Sequence, residues 1–372
     1  MKKIVSILII FVFFIFMNSV YPIFSFAKEE NNISSEEKYY SSLHAAIEDA
    51  NNKTTKNANS NANDGVASLV ISNNKATITL IKDYDEENEL IIDNDIDFNL
   101  NGKNLNLIAS NSKTTNEEYK YGFVINKYKT LNIYGEIQGS EIHHEESLGK
   151  YFIMFQVLGD ININGGKYIN NVNDSGAWFI NATDTYTHNI KVENIELNTN
   201  ALLSAFAVKT SLLLNNSNVT LRNNKFTIHS NERLASVIYG TSNSNVDNNK
   251  INIYSSNGNG SGFMFTDFSI CKINNNKIKV ETNEKKNAGI YLYKYCDAEI
   301  TNNEIEATSE NNSSSGLNIM RNSIGKLDNN KIISISEKGI AEGIVSKGIL
   351  EIDDLDLKVV CREPKNKGAI RH

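Results

Sequence analysis

Five stretches decide the fold: Asn223-Asn224-Lys225-Phe226, Asn248-Asn249-Lys250-Ile251, Asn275-Asn276-Lys277-Ile278, Asn302-Asn303-Glu304-Ile305 and Asn329-Asn330-Lys331-Ile332. Their apolar residue advances by 25, 27, 27 and 27 positions. A repeat in the twenties made of β-prone residues is the signature of a solenoid, in which each repeat buries its apolar face against the next. Asn has a specific use at such a corner. It tolerates the left-handed backbone that a sharp bend requires. Stacked coils also bring each Asn above the last, about 4.8 Å away, so the amides can hydrogen-bond as a ladder.

Working outward, each repeat carries aligned apolar columns. One reads Phe226, Ile251, Ile278, Ile305, Ile332, Leu355, and a second, two residues on, reads Ile228, Ile253, Val280, Ala307, Ser334, Leu357. The spacing of two puts both on one face of a strand. A third column, Leu221, Val246, Ile273, Ile300, Leu327, precedes the Asn pair. Each repeat is therefore strand, Asn bend, strand. Weaker copies at Leu105, Ile137, Tyr168 and Ile195 upstream and Leu355 downstream bring the count to ten coils, or about 48 Å of stack.

These repeats resemble the right-handed parallel β-helix superfamily, whose best-known members are similar to pectate lyases. The resemblance covers residues 76–360. Ser42-Leu43-His44-Ala45-Ala46-Ile47, Ala76–Ile81 and Phe98-Asn99-Leu100-Asn101-Gly102-Lys103 are similar to the opening of secreted bacterial surface proteins of this fold. The expected architecture is all-β: a single-stranded right-handed parallel β-helix with a short N-terminal capping helix. The helix is expected within Tyr39–Ala50, where Leu43, Ala46 and Ile47 share a helical face. A cap protects an end that would otherwise expose unpaired strand edges.

Residues 1–27 read as a signal peptide: Lys2 and Lys3, an apolar run from Ile4 to Met17, and small residues Ser25 and Ala27 before the cleavage position. An uncleaved anchor is the competing reading. Residues 28–75 form a polar leader with the capping helix and a loop, 76–360 the β-helix, and 361–372 a C-terminal tail. Loss of Lys2 and Lys3 takes the formal charge from −7 to −9. An acidic chain offers no electrostatic reason to bind nucleic acid or an anionic membrane, and no second apolar run spans a bilayer. Cys271, Cys296 and Cys361 are too few for a disulfide framework. Cys271 and Cys296 lie in neighbouring coils, either as a bridge or as small buried thiols.

The third segment of each coil follows a small residue, as in Gly262-Phe263-Met264-Phe265, Gly289-Ile290-Tyr291-Leu292 and Gly316-Leu317-Asn318-Ile319. Alternation places one outward column at Trp178, Ala207, Ile238, Met264, Tyr291, Asn318, Val345. The next is Ile180, Lys209, Gly240, Thr266, Tyr293, Met320, Lys347. Flat aromatic faces stack on sugar rings. Trp178, Tyr291, Tyr293 and Met264 are therefore the candidate glycan-binding residues, unless a loop covers this face or the parity is off by one.

The resemblance also implies a second function. Lyases of the superfamily use an acidic Ca²⁺ site with an Arg or Lys base, and hydrolases use paired carboxylates. Neither outward column holds a carboxylate. Asp174, Asp184 and His188, in one coil near Trp178, are the candidate catalytic residues of an enzyme. Asp267, Lys294 and Arg321 recur at 27-residue steps as an ion-pair ladder or an acid–base set. His143-His144-Glu145-Glu146 could ligate a metal, but adjacent strand residues face opposite ways. Asp353-Asp354 sits at the Asn-pair register and reads as a bend. No cofactor is implied, with Ca²⁺ needed only by a lyase. The favoured reading is a non-catalytic secreted or cell-surface protein that binds polysaccharide or surface glycans. The alternatives are a polysaccharide lyase or hydrolase, and a structural fragment of a larger surface protein. An uncapped last coil would permit end-to-end self-association.

Overall fold

A computed structural model describes residues 36–108, 118–136, 138–145, 151–212, 217–362 and 367–371. Residues 1–27, expected from the sequence to be a signal peptide, and Ile137 and Glu146 lie outside the described residues. The chain from Glu37 onward forms one unit.

That unit is a parallel β-solenoid, 61% strand and 3% helix. Three sheets run along it. Sheet A has 13 strands, from Lys38–Tyr40 to Ile349–Ile352, while sheet B has 11, from Tyr84–Glu86 to Leu355–Cys361, and sheet C has 11, from Leu90–Ile92 to Lys367–Arg371. Successive strands of a sheet come from successive coils, so every neighbour is parallel except at the N-terminal end. The solenoid makes about 8 turns where the repeat predicts ten. Short strands at the N-terminal end, such as Tyr84–Glu86 and Leu90–Ile92, extend the sheets beyond the regular part.

The Asn pairs do what their chemistry allows. The first Asn of each pair takes the left-handed conformation: Asn223, Asn248, Asn275, Asn302 and Asn329 have φ between 50° and 57°. Its amide faces outward, and Asn248 Nδ2 donates to Asn223 Oδ1 at 2.8 Å. The second Asn is buried and forms an internal ladder. Asn249 Nδ2 donates to Asn276 Oδ1 at 2.9 Å, Asn276 to Asn303 at 3.0 Å, and Asn303 to Asn330 at 3.1 Å. The same amides donate to the carbonyls of Leu221, Val246 and Ile273, which would otherwise be orphaned inside a corner.

The column Leu221, Val246, Ile273, Ile300, Leu327 pairs residue for residue, as does Phe226, Ile251, Ile278, Ile305, Ile332. Two weaker copies slip by two. Leu197, not Ile195, stands over Tyr168, and Leu357, not Leu355, over Ile332. A slip of two keeps a side chain on the same face, so alternation does not detect it.

At the N-terminal end, helix α1 (Leu43–Asn52) is capped by Ser42, whose side chain accepts from Ala45 N. It buries Leu43, Ala46, Ile47 and Ala50. Buried Asp49 accepts from Tyr40 OH at 3.0 Å and Asn57 N at 2.7 Å, tying the helix to the following loop. The β structure begins earlier than residue 76. An antiparallel hairpin, Ala67–Ser72 with Lys75–Leu80, turns through Asn73 and Asn74, both at positive φ. Together with Lys38–Tyr40 it closes the edge of sheet A. In the last described coil Ile349, Ile352 and Val360 are exposed.

Candidate functional site: the outer face of sheet C

The sheet C strands from Tyr119–Ile125 onward each skip one residue in the ladder, where the strand bends. In Ala177–Ala182, Trp178 pairs with Phe206 and Ile180 with Val208, but Phe179 between them joins no ladder pair. Both Phe179 and Ile180 are buried, so strict alternation breaks here. In later coils the bend residue is Gly262, Gly289 or Gly316. A Cβ on Gly289 would lie 2.2 Å from Ile305 Cγ2, and one on Gly316 2.1 Å from Ile332 Cγ2. The small residues noted in the sequence are thus a close-approach column.

The bend corrects the outward columns. One true column is Tyr121, Ile153, Trp178, Phe206, Ser236, Ser261. The other is Gln156, Asn181, Lys209, Tyr239, Met264, Tyr291, Asn318, Val345. Met264 and Tyr291 therefore belong together as expected. Trp178 lies in the other column. Ala207 falls at the bend, while Ile180, Ile238 and Gly240 are buried.

Trp178 anchors a row of rings. It lies 5.1 Å from Tyr151, 5.5 Å from Tyr119 and 5.9 Å from Phe206, and Phe206 stacks on Tyr239 at 5.1 Å. Leu203 and Leu234 pack against this cluster, and Arg233 Nη1 donates to Tyr151 OH at 3.0 Å. Trp178 is consequently only 5% exposed, so it is a floor rather than an open platform. Lys209 Nζ lies 3.6 Å from the centre of the Trp178 ring, within cation–π range. Burial pushes the Lys209 amine down to about 8, with Glu118 opposing the shift.

The face opens in the later coils. Met264 and Tyr291 are half-buried, Tyr293 is 37% exposed, and the two tyrosine rings lie 6.3 Å apart at 24°. Lys294 Nζ stands 5.0 Å from the Tyr293 ring centre. Of the sequence candidates, Tyr291, Tyr293 and Met264 lie on this open part of the face. Tyr119, Tyr151, Phe206 and Tyr239 share the face but are not among the candidates, because the bend hides them from a period-two count. The aromatic pairs at Tyr119/Tyr121 and Tyr151/Ile153 were the available signal.

The catalytic candidates do not converge. Asp174 lies in an exposed turn before the strand Ala177–Ala182, and Asp184 and His188 follow it. About 20 Å of strand separates them. His188 Nε2 contacts Asp184, and Nδ1 is 2.8 Å from Gly159 O, so both ring nitrogens have partners. This part-buried pair ties the end of the turn to the preceding coil at Gly159. Asp267, Lys294 and Arg321 are joined by no ion pair among the described residues. His143 and His144 face opposite ways: His144 is fully buried, with Nδ1 2.6 Å from Leu107 O and its ring stacked on Phe152. Desolvation lowers it to about 4, so it is neutral at pH 7.

Carboxylates gather elsewhere. On the outer face of sheet A, Lys272, Glu299, Lys326 and Glu351 alternate in one column, and Lys272 pairs with Glu299 at 3.4 Å. This exposed charge ladder contributes little stability. Among the described residues no group of three or more His, Cys, Asp or Glu is arranged to hold a metal ion, and no helix is long and apolar enough to cross a membrane. Cys271 and Cys296 are buried, free thiols. No protein-family model, no curated protein and no solved structure matches this chain.

Proposed function

We propose that this protein is secreted or held at the cell surface and binds extended glycans along the outer face of sheet C, without cleaving them. The observation that carries this reading is the row Tyr239, Met264, Tyr291, rising one coil at a time, with Tyr293 beside Tyr291 in the same coil. A polymer lying along the axis would meet a ring or an apolar side chain at about 4.8 Å intervals. Half-exposed tyrosines supply flat apolar faces with polar tips. Lys209 and Lys294 add hydrogen-bond donors beside the rings. The test is affinity electrophoresis through gels containing cellulose-, chitin- or polygalacturonate-derived polymers. The native protein is expected to be retarded by at least one of them. Tyr291→Ala/Tyr293→Ala is expected to bind at least about tenfold more weakly. Unchanged retardation of the double variant would overturn the reading.

A second reading is favoured by Lys209 alone. An amine that loses its proton near pH 8 is suited to act as a general base, the group a polysaccharide lyase needs. Unsaturated products absorbing in the ultraviolet, formed faster as pH rises through 8 and lost in Lys209→Met, would establish it.

A further inference from the structure

The corner between sheet C and sheet A is not uniform. Between Phe265 and Ile270, Leu292 and Asp297, and Ile319 and Ile324 it is two residues longer than in the flanking coils, Gly240 to Asn243 and Ser346 to Ile349. Three long corners therefore stack as a raised tongue between short ones. Inside, small residues hold it: Ser269 Oγ donates to Thr266 O at 2.7 Å, and Cys296 N donates to Ser323 Oγ at 3.2 Å. Outside, the residue at the left-handed position is Phe268 at φ 62°, Tyr295 at φ 53° and Asn322 at φ 63°.

Asn suits that conformation; Phe and Tyr do not. Asn322 demonstrates that the corner closes without a ring. Yet Phe268 is 48% exposed and Tyr295 49%, so their rings return little burial for the strain. The two rings are parallel, 5.0 Å apart at 5°. Strain kept where the fold does not need it is a mark of function. The same device recurs on this edge. Tyr128 is at φ 62° and 83% exposed. It meets Tyr186 edge-on at 6.2 Å across the short corner at Leu158–Gly159, with Lys127 Nζ 4.1 Å from the Tyr186 ring centre.

The geometry points to an aromatic edge that stacks on saccharide rings: Phe268 and Tyr295 in one cluster, Tyr128 and Tyr186 in another. This rests on the glycan-binding reading and extends its contact from the sheet C face around the corner. Tyr293 begins one of the long corners and links the two surfaces. Flat rings beside exposed Lys294, Arg321 and Lys127 match a ligand with apolar ring faces and a hydroxyl rim. A folded protein partner does not fit. Two rings on a tongue about 10 Å long offer far less than the ~800 Å² per side of a stable protein interface. Tyr186 and Phe268 are three coils apart, about 14 Å. An extended chain can therefore engage both clusters at once and gain from the linkage.

The test uses Phe268→Asn/Tyr295→Asn and Tyr128→Asn/Tyr186→Ala, with hexasaccharides and long polymers of cellulose, chitin and polygalacturonate as probes. Both variants are expected to keep the native melting temperature or exceed it. Each is expected to bind the long polymer about tenfold more weakly, and their combination about a hundredfold more weakly, the sheet C face remaining. A fall in melting temperature would overturn the inference by giving the rings a structural role. So would unchanged binding of a polymer that the native protein does bind, and that result would leave the sheet C face as the site. A native protein retained by none of the probes would instead defeat the glycan-binding reading.

Discussion

Two kinds of corner in the solenoid face the same backbone problem and answer it differently. Where sheet A turns into sheet B, the left-handed residue is Asn in coil after coil, and its amide joins a ladder. Where sheet C turns into sheet A, the left-handed residue is Tyr128, Phe268 or Tyr295, with Asn322 in a neighbouring coil. The first corner is built of the residue its geometry favours. The second accepts strain and exposes rings. The comparison separates what the solenoid requires from what it carries.

The largest effect is expected at the buried ladder. Asn276→Ala removes the acceptor of Asn249 N at 2.9 Å and the donor to Val246 O at 3.0 Å. These groups then lie unpaired in the interior, so chemical denaturation should show a loss of about 3 kcal/mol. A loss near zero would mean that the ladder is incidental to the corner. Asn302→Ala, at the exposed left-handed position with φ 56°, should destabilise by only about 1 kcal/mol. Tyr295→Asn should have the opposite sign, a gain of less than about 1 kcal/mol. Equal losses at residues 302 and 295 would erase the distinction between the corners.

An effect confined to alkaline pH sharpens the contrast within sheet C. Lys209 has its folded pKa pushed below the ordinary lysine value by burial. Between about 8 and that ordinary value the unfolded chain binds more protons, so stability should rise with pH across this window and be flat below it. Trp178 is the chain's single tryptophan, and its fluorescence should titrate near pH 8. Lys209→Met should remove both the slope and the titration. A titration that persists in Lys209→Met would place the group elsewhere.

The sequence makes the Asn corner plain because one residue type, at one spacing, serves one geometry. The A and B columns follow from it, down to the pairing of Leu221 with Val246. Alternation does not locate Leu197 or Leu357, because Ile195 and Leu355 lie two residues away and face the same way. Sheet C is harder for a different reason. Phe179 and its equivalents bend the strands from Tyr119–Ile125 onward, so Trp178 and Asn181 both face out although three positions separate them. The aromatic site was therefore assembled from two columns read as one. The hairpin at Asn73–Asn74, flanked by β-prone runs, was legible as a turn signal and was missed by starting the β region at Ala76. The clustering of Phe268 with Tyr295 depends on corner length, which a repeat period alone does not resolve.

The register of sheet C is what both proposed surfaces stand on, and cysteine cross-linking reads it directly. In a Cys361→Ser background, Tyr239→Cys/Met264→Cys should close a disulfide in air, since paired Cα atoms about 4.8 Å apart suit the bond. Ile238→Cys/Met264→Cys should stay reduced, because Ile238 faces the interior opposite Phe263. Closure of the second pair and not the first would contradict the coil-on-coil alignment and the sites built upon it.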